Sequence, residues 1–162
     1  MKKVINQTIE TLLEELKGAS DILGIPSENM IRTWCPEFAV SSLSPEAGVY
    51  LAVFLQDCRA DTEEMQAGVM KTVSLRIAVL KRLSEAGDDE VNIQQTVECF
   101  EALQNFLTGF RSWKAEDDQE FTITKAEPAG IADPVTLTAY RIADCGFDLE
   151  IQTFVPYPRK EK

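Results

Sequence analysis

Between Val4 and Lys17 the apolar residues Ile5, Ile9, Leu12 and Leu16 recur at helical spacing, Val4 and Leu13 widen the stripe, and Glu10, Glu14 and Glu15 take the other side. That period predicts an amphipathic helix, and Gly18 is placed to end it. Gly24 and Pro26 mark the next segment as a connection. Met30 to Trp34 predicts a short strand ended by Pro36. After the turn residues Pro45, Glu46 and Gly48, the run Val49 to Leu55 is apolar at nearly every position, which predicts a central strand buried on both faces.

From Asp57 to Gly68 the residues Asp57, Arg59, Asp61, Glu63 and Glu64 interrupt all apolar periodicity. A polar loop is expected there, about a dozen residues long against a usual length of roughly 4 to 6. Val69, Val73, Leu75, Ile77 and Val79 then share one parity, against Thr72, Ser74, Arg76 and Arg82, with Lys71 as an interruption. Val73, Ile77 and Leu80 also fit a helix, but the density of β-branched residues favours a long strand. Ser84 to Gly87 reads as a turn. Asp88 and Asp89 are N-cap candidates for a helix from Glu90 to Thr108, whose buried stripe is Ile93, Val97, Phe100, Leu103 and Leu107 and which Gly109 closes.

After the charged break from Lys114 to Gln119, alternation returns in Phe121 and Ile123, in Leu137 and Ala139, and from Phe147 to Val155. Three further strands are expected, punctuated by Pro128, Gly130, Pro134 and Gly146. The order is helix, strands, helix, strands. It predicts an α+β fold in which a mostly antiparallel β-sheet is packed on one face by two α-helices. Residues 1–155 form a single α+β domain in this reading, and 156–162, with Pro156, Pro158, Arg159 and Lys160, form a charged mobile tail.

Composition narrows the functions open to such a fold. The formal charge of -11 opposes a surface built to neutralise phosphates, so specific DNA binding is not expected, although an acidic passage would let DNA slide by without sticking. No apolar run reaches the ~18 to 20 residues of a membrane span, and Met1, Lys2 and Lys3 lead into a polar segment, so neither secretion nor insertion is expected. Cys35, Cys58, Cys99 and Cys145 lie far apart with no paired spacing and no histidine to complete a zinc site. Free thiols in a reducing compartment are the expectation.

The absence of histidine removes Ser-His-Asp and Cys-His nucleophile activation. No glycine-rich phosphate loop and no nucleophile elbow occurs. The clusters Asp88-Asp89-Glu90 and Glu116-Asp117-Asp118 lack the alternating pattern of a calcium loop and read first as a cap and a solvated turn. No catalytic residue, cofactor or metal is assigned; a carboxylate-based enzyme remains the least favoured class. Trp34 and Trp113 each follow an arginine by two residues, a pairing seen at interface anchors, with a place at the core edge as the alternative.

The segment Val69 to Leu83, a polar turn, the helix Val91 to Leu107 and the closing Phe147 to Phe154, with Met30 to Trp34 before Val49 to Leu55, resemble in layout the tail-terminator, tail-completion and neck proteins of tailed bacteriophages. The resemblance covers Val4 to Val155 and rests on layout without signature residues. It implies a homo-oligomeric ring, commonly a hexamer, at the head-proximal end of the tail, which stops growth of the tube and joins tail to head. The implied partners are further copies of the chain, the tail tube protein and the head-completion or neck proteins, with DNA passing through the lumen unbound and no membrane. The implied location is the virion, after assembly in the host cytoplasm. Within that picture Trp34, Asp57, Arg59, Asp61, Glu63, Glu64, Trp113, Arg159 and Lys160 are the expected interface residues. A cytosolic interaction adaptor of unrelated α+β fold is the alternative class.

Overall fold

A computed structural model describes residues 2–33, 48–83, 89–131 and 141–158. Helix α1 (Lys2–Gly18) is followed by the short α2 (Ser20–Leu23), a single 3-10 turn (Ser27–Asn29) and β1 (Met30–Arg32). Then come β2 (Val49–Glu64), β3 (Gly68–Arg82), α3 (Asp89–Gly109), β4 (Ser112–Lys114), β5 (Glu120–Ile131) and β6 (Ile142–Pro156). One six-stranded sheet results, in the order β1-β2-β3-β6-β5-β4. Only the β1–β2 pair is parallel; β2–β3, β3–β6, β6–β5 and β5–β4 are antiparallel. This is the α+β arrangement that the periodicities predict.

The helices bury their stripes on one face of that sheet. Ile9, Leu12 and Leu16 of α1 and Phe100, Leu103 and Leu107 of α3 share a core with Leu51 and Val53 of β2, Val73 to Val79 at alternate positions of β3, and Phe147, Leu149 and Ile151 of β6. Burying one such side chain fully contributes on the order of 1.5–3 kcal/mol. Phe100 stacks on Phe147 with ring centroids 4.6 Å apart, fixing α3 to the middle of the sheet. A second, smaller cluster of Ala52, Ala78, Leu80 and Ile142, with Ile31, Tyr50 and Phe54 packed against it, occupies the other face. It explains why Val49 to Leu55 is apolar at successive positions. That strand lies next to the edge of the sheet, however, and β3 and β6 are the two middle strands.

Several expectations need correction. The stretch from Asp57 to Gly68 is not a loop: β2 continues to Glu64, and β3 begins at Gly68. From Asp61 to Glu64 the missing apolar period reflects solvent on both sides, and main-chain pairing to β3 from Ala60↔Val73 to Glu64↔Val69 holds the segment extended. On α3 Phe100, Leu103 and Leu107 are buried as expected, but in the first half of the helix the buried position is Thr96, while Ile93 and Val97 are half-buried. The Thr96 hydroxyl is satisfied by donating to the Asn92 carbonyl at 2.9 Å, so a threonine can take the place facing the sheet. β5 runs through Pro128, with register shifts at Ile123/Lys125 and Pro128/Gly130 that admit the proline at an irregular edge. Lys114 ends the short strand β4 and does not begin a break. At the other end, Pro156 still belongs to β6, pairing with Gly68. Trp34, Cys35, Asp88 and the expected strand at Thr136 to Tyr140 lie outside the described residues, as do Arg159 and Lys160.

Helix α1 ties the two edges of the sheet together. Arg32 of β1 donates to Asn6 Oδ1 at 2.8 Å and lies 3.9 Å from Glu10. Beyond the opposite edge, Asp117 accepts from Gln7 at 3.0 and 3.1 Å, and Trp113 Nε1 of β4 donates to Thr11 Oγ1 at 2.9 Å. These contacts fall on two successive turns of α1, and the long side chains of Arg32, Gln7 and Trp113 bridge the helix to the two margins.

Candidate functional site

The end of the sheet made by β2, β3 and β6 is the most exposed part of the fold. Every residue from Asp61 to Ala67 is exposed, including Asp61, Glu63 and Glu64 of the expected interface set. Met65 and Tyr157 are among the large apolar residues most open to solvent, at 47% and 46%. The three strands are locked here by their main chains: Met65 N–H donates to the Gly68 carbonyl at 2.9 Å, and Tyr157 N–H donates to the Ala67 carbonyl at 3.0 Å. The result is a rigid projection with an apolar tip and acids along one margin.

Gly68 makes this junction possible. A Cβ at that position would lie 2.5 Å from the Phe154 ring and 2.7 Å from Pro156 Cα, and would also meet the Val155 carbonyl. Only a residue without a side chain allows β6 so near. Further in, Gln119 Nε2 donates to the Phe154 carbonyl at 2.7 Å and to Thr153 Oγ1. The Thr153 hydroxyl donates to the Glu120 carbonyl at 2.7 Å, so the start of β5 is pinned to β6 just where the projection begins.

The other expected site residues are scattered. Asp57 and Arg59 fall on β2, but their side chains lie outside the described residues. Trp113 is 5% exposed and belongs to the core. It stands in a ladder of rings with centroids 5.0 Å apart from Phe106 to Phe110, 5.5 Å from Phe110 to Trp113 and 5.3 Å from Trp113 to Phe121. Of the two readings of this tryptophan, the structure has the one inside the fold. Met65 and Tyr157 were not singled out by periodicity, because an exposed apolar residue at a strand end has no pattern of its own.

The acidic clusters have structural partners. Asp89 opens α3 and is gripped by Arg141, with Nη2–Oδ1 at 2.7 Å and Nη1–Oδ2 at 2.9 Å. That hydrogen bonding, and secondarily the guanidinium charge, holds its carboxyl below the usual range. Asp89 is the first residue of the helix, and Asp88, the other N-cap candidate, lies outside the described residues. Asp117 sits in the turn from β4 to β5, where the Gln7 amide and then the Gln119 N–H lower its carboxyl in the same way. Asp118, next to it, takes the left-handed backbone of that turn at φ 62.

A groove of about 770 Å³ runs along α1, lined by Lys3, Gln7, Glu10, Glu14, Glu116 and Asp117 among others. Among the described residues no three His, Cys, Asp or Glu side chains converge on a point where a metal ion would sit. Cys99 and Cys145 are free thiols; burial foremost, with the charge of Glu98, raises the Cys99 thiol above its ordinary value, which disfavours the reactive thiolate. No described helix is long and apolar enough to cross a membrane.

Fold and surface together define an α+β protein with a mostly antiparallel sheet whose end offers acids, exposed apolar side chains and, among the described residues, an uncovered strand edge. The chain matches no protein-family model and no curated protein.

Proposed function

We propose that this protein is a structural assembly protein of a tailed-phage virion, whose copies close into a ring at the head-proximal end of the tail, stop growth of the tail tube and join tail to head. One observation carries the reading: β2, β3 and β6 extend past the residues that meet the helices and end in Met65 and Tyr157 beside Asp61, Glu63 and Glu64. Large apolar side chains exposed together on a rigid projection mark a surface for another protein. A ring interface joins unlike surfaces of identical subunits by a rotation that closes. The same ring would bury the end of a polymer that otherwise continues to grow. The charge of -11 suits a lumen through which DNA passes without binding.

The test is the mass of the native protein, alone and after addition of purified tail tubes, with tube ends viewed by electron microscopy. A closed oligomer, or one that forms on tube ends, is expected, and removal of Asp61 to Gln66 should abolish it. A chain that stays monomeric at every concentration and leaves tubes uncapped overturns the reading. Capture of a different soluble protein by that monomer would favour the adaptor class.

A further inference from the structure

We infer that the outer edge of β2 at Thr62 to Glu64 is a docking site for an extended, basic segment of another protein, which would add to the sheet as a further strand. The antiparallel register decides which main-chain groups are available. Met65 and Gly68 form a hydrogen-bonded pair, so the pairs Glu63↔Met70 and Asp61↔Thr72 are hydrogen-bonded as well, and Thr62↔Lys71 and Glu64↔Val69 are the alternate kind. Residues of the alternate kind turn both N–H and C=O away from the partner strand. Thr62 and Glu64 thus present main-chain donors and acceptors outward. Among the described residues β1 covers β2 only from Leu51 to Val53, leaving this stretch without an outer neighbour.

The opposite edge of the sheet is built differently. β4 covers β5 only from Glu120 to Thr122, but the uncovered part of β5 carries Pro128 and two register irregularities, devices that prevent strand addition. The β2 edge has acids in place of these blocks. A second copy pairing there in antiparallel fashion, with Thr62 opposite Glu64, would set Glu63 directly against the Glu63 of the other copy, in a chain already at -11; like charges directly opposite are destabilising. A strand with lysine or arginine at alternate positions meets no such repulsion. A cation of that strand would lie beside Glu63, while its main chain bonds to Thr62 and Glu64. Recognition of this kind takes affinity from main-chain bonds and selectivity from alternate side chains. Met65, exposed at the end of the edge, offers an apolar contact to whatever residue follows.

The experiment uses the full chain and three synthetic peptides: one of alternating lysine and threonine, the same peptide N-methylated at alternate residues, and one with glutamate in place of lysine. Binding is followed by titration, and amide hydrogen exchange is read at Thr62 and Glu64. The lysine peptide should bind saturably and slow exchange at both amides. N-methylation, which deletes main-chain donors, should weaken binding about tenfold or more, and the glutamate peptide should not bind. Replacing two of the three exposed acids, Glu63→Lys with Glu64→Lys, should reverse the preference between the charged peptides. Equal binding of the N-methylated peptide, unprotected amides at Thr62 and Glu64, or no binding of the lysine peptide would each overturn the inference. The outcome does not depend on ring closure, because the measurement is made on the isolated chain.

Discussion

Arg76 and Asp148 stand directly opposite each other on the two middle strands, on the face of the sheet away from the helices, and the guanidinium forks onto the carboxylate with Nε–Oδ1 at 2.7 Å and Nη2–Oδ2 at 3.2 Å. The arginine stem passes over Gly146, where a Cβ would lie in ordinary contact with it at 3.7 and 3.8 Å. Both side chains keep about a third of their surface exposed, so solvent screens part of the attraction. Asp148→Asn should cost about 1 kcal/mol, and Arg76→Ala combined with it should cost less than the sum of the single changes. Denaturant unfolding of the four members of the cycle measures this coupling.

Gly68→Ala should be the most damaging small substitution at the projecting end. The added methyl group meets the Phe154 ring, the Val155 carbonyl and Pro156 Cα at once, and overpacking of this sort costs about 1–3 kcal/mol. Phe154→Ala in the same chain removes one of these clashes and leaves the main-chain ones. Partial recovery of the melting temperature is expected, and complete recovery would mean that only the ring was in the way.

The indole of Trp113 is buried and donates to Thr11. Thr11→Val keeps the shape and deletes the acceptor, so the indole N–H is left without its partner at a cost of about 1–3 kcal/mol. Trp113→Phe in the Thr11→Val background removes the orphaned donor and should cost less than Trp113→Phe in the native background. Equilibrium unfolding of the three variants checks this.

Acid should weaken the fold through Asp89 and Asp117. Their carboxyls are held lower in the folded chain than when unfolded, so the contribution is complete above the unfolded pKa of about 4. It falls away as the pH drops from there through the folded values. Stability measured between pH 7 and pH 2 should decline below about pH 4, and Asp89→Asn should make that decline shallower. An unchanged slope in the variant would remove Asp89 from the explanation.

Helix α1 was readable from its period, and β3 from its alternation, because each buries one continuous stripe in the common core. The outer half of β2 was unreadable for the opposite reason. Asp61, Thr62, Glu63 and Glu64 face water on both sides, and their extended form is imposed by Val69 to Thr72 across the ladder, not by their own side chains. A short strand was expected from Met30, where β1 lies, whereas β4, at three residues, is too short to show any period. The stripe of α3 was legible at Phe100, Leu103 and Leu107 and missed Thr96, because that threonine satisfies its own hydroxyl inside the helix, which periodicity of apolar residues does not reveal. The acids of the candidate surface were legible as charge; Met65, Tyr157 and the close approach at Gly68 became visible only with the strands in register.

The bonds from α1 to both margins of the sheet also govern the order in which the chain can mature. Gln7 and Asp117 are 110 positions apart, and Thr11 and Trp113 are 102 apart. During synthesis the first helix emerges early, yet its apolar stripe has no complete seat until more than two thirds of the polypeptide has followed. Folding dominated by such distant pairings is slow, and a waiting amphipathic segment is open to wrong partners in the meantime. Efficient production of this protein would therefore be sensitive to the pace of translation and to chaperones that shelter its N-terminal helix.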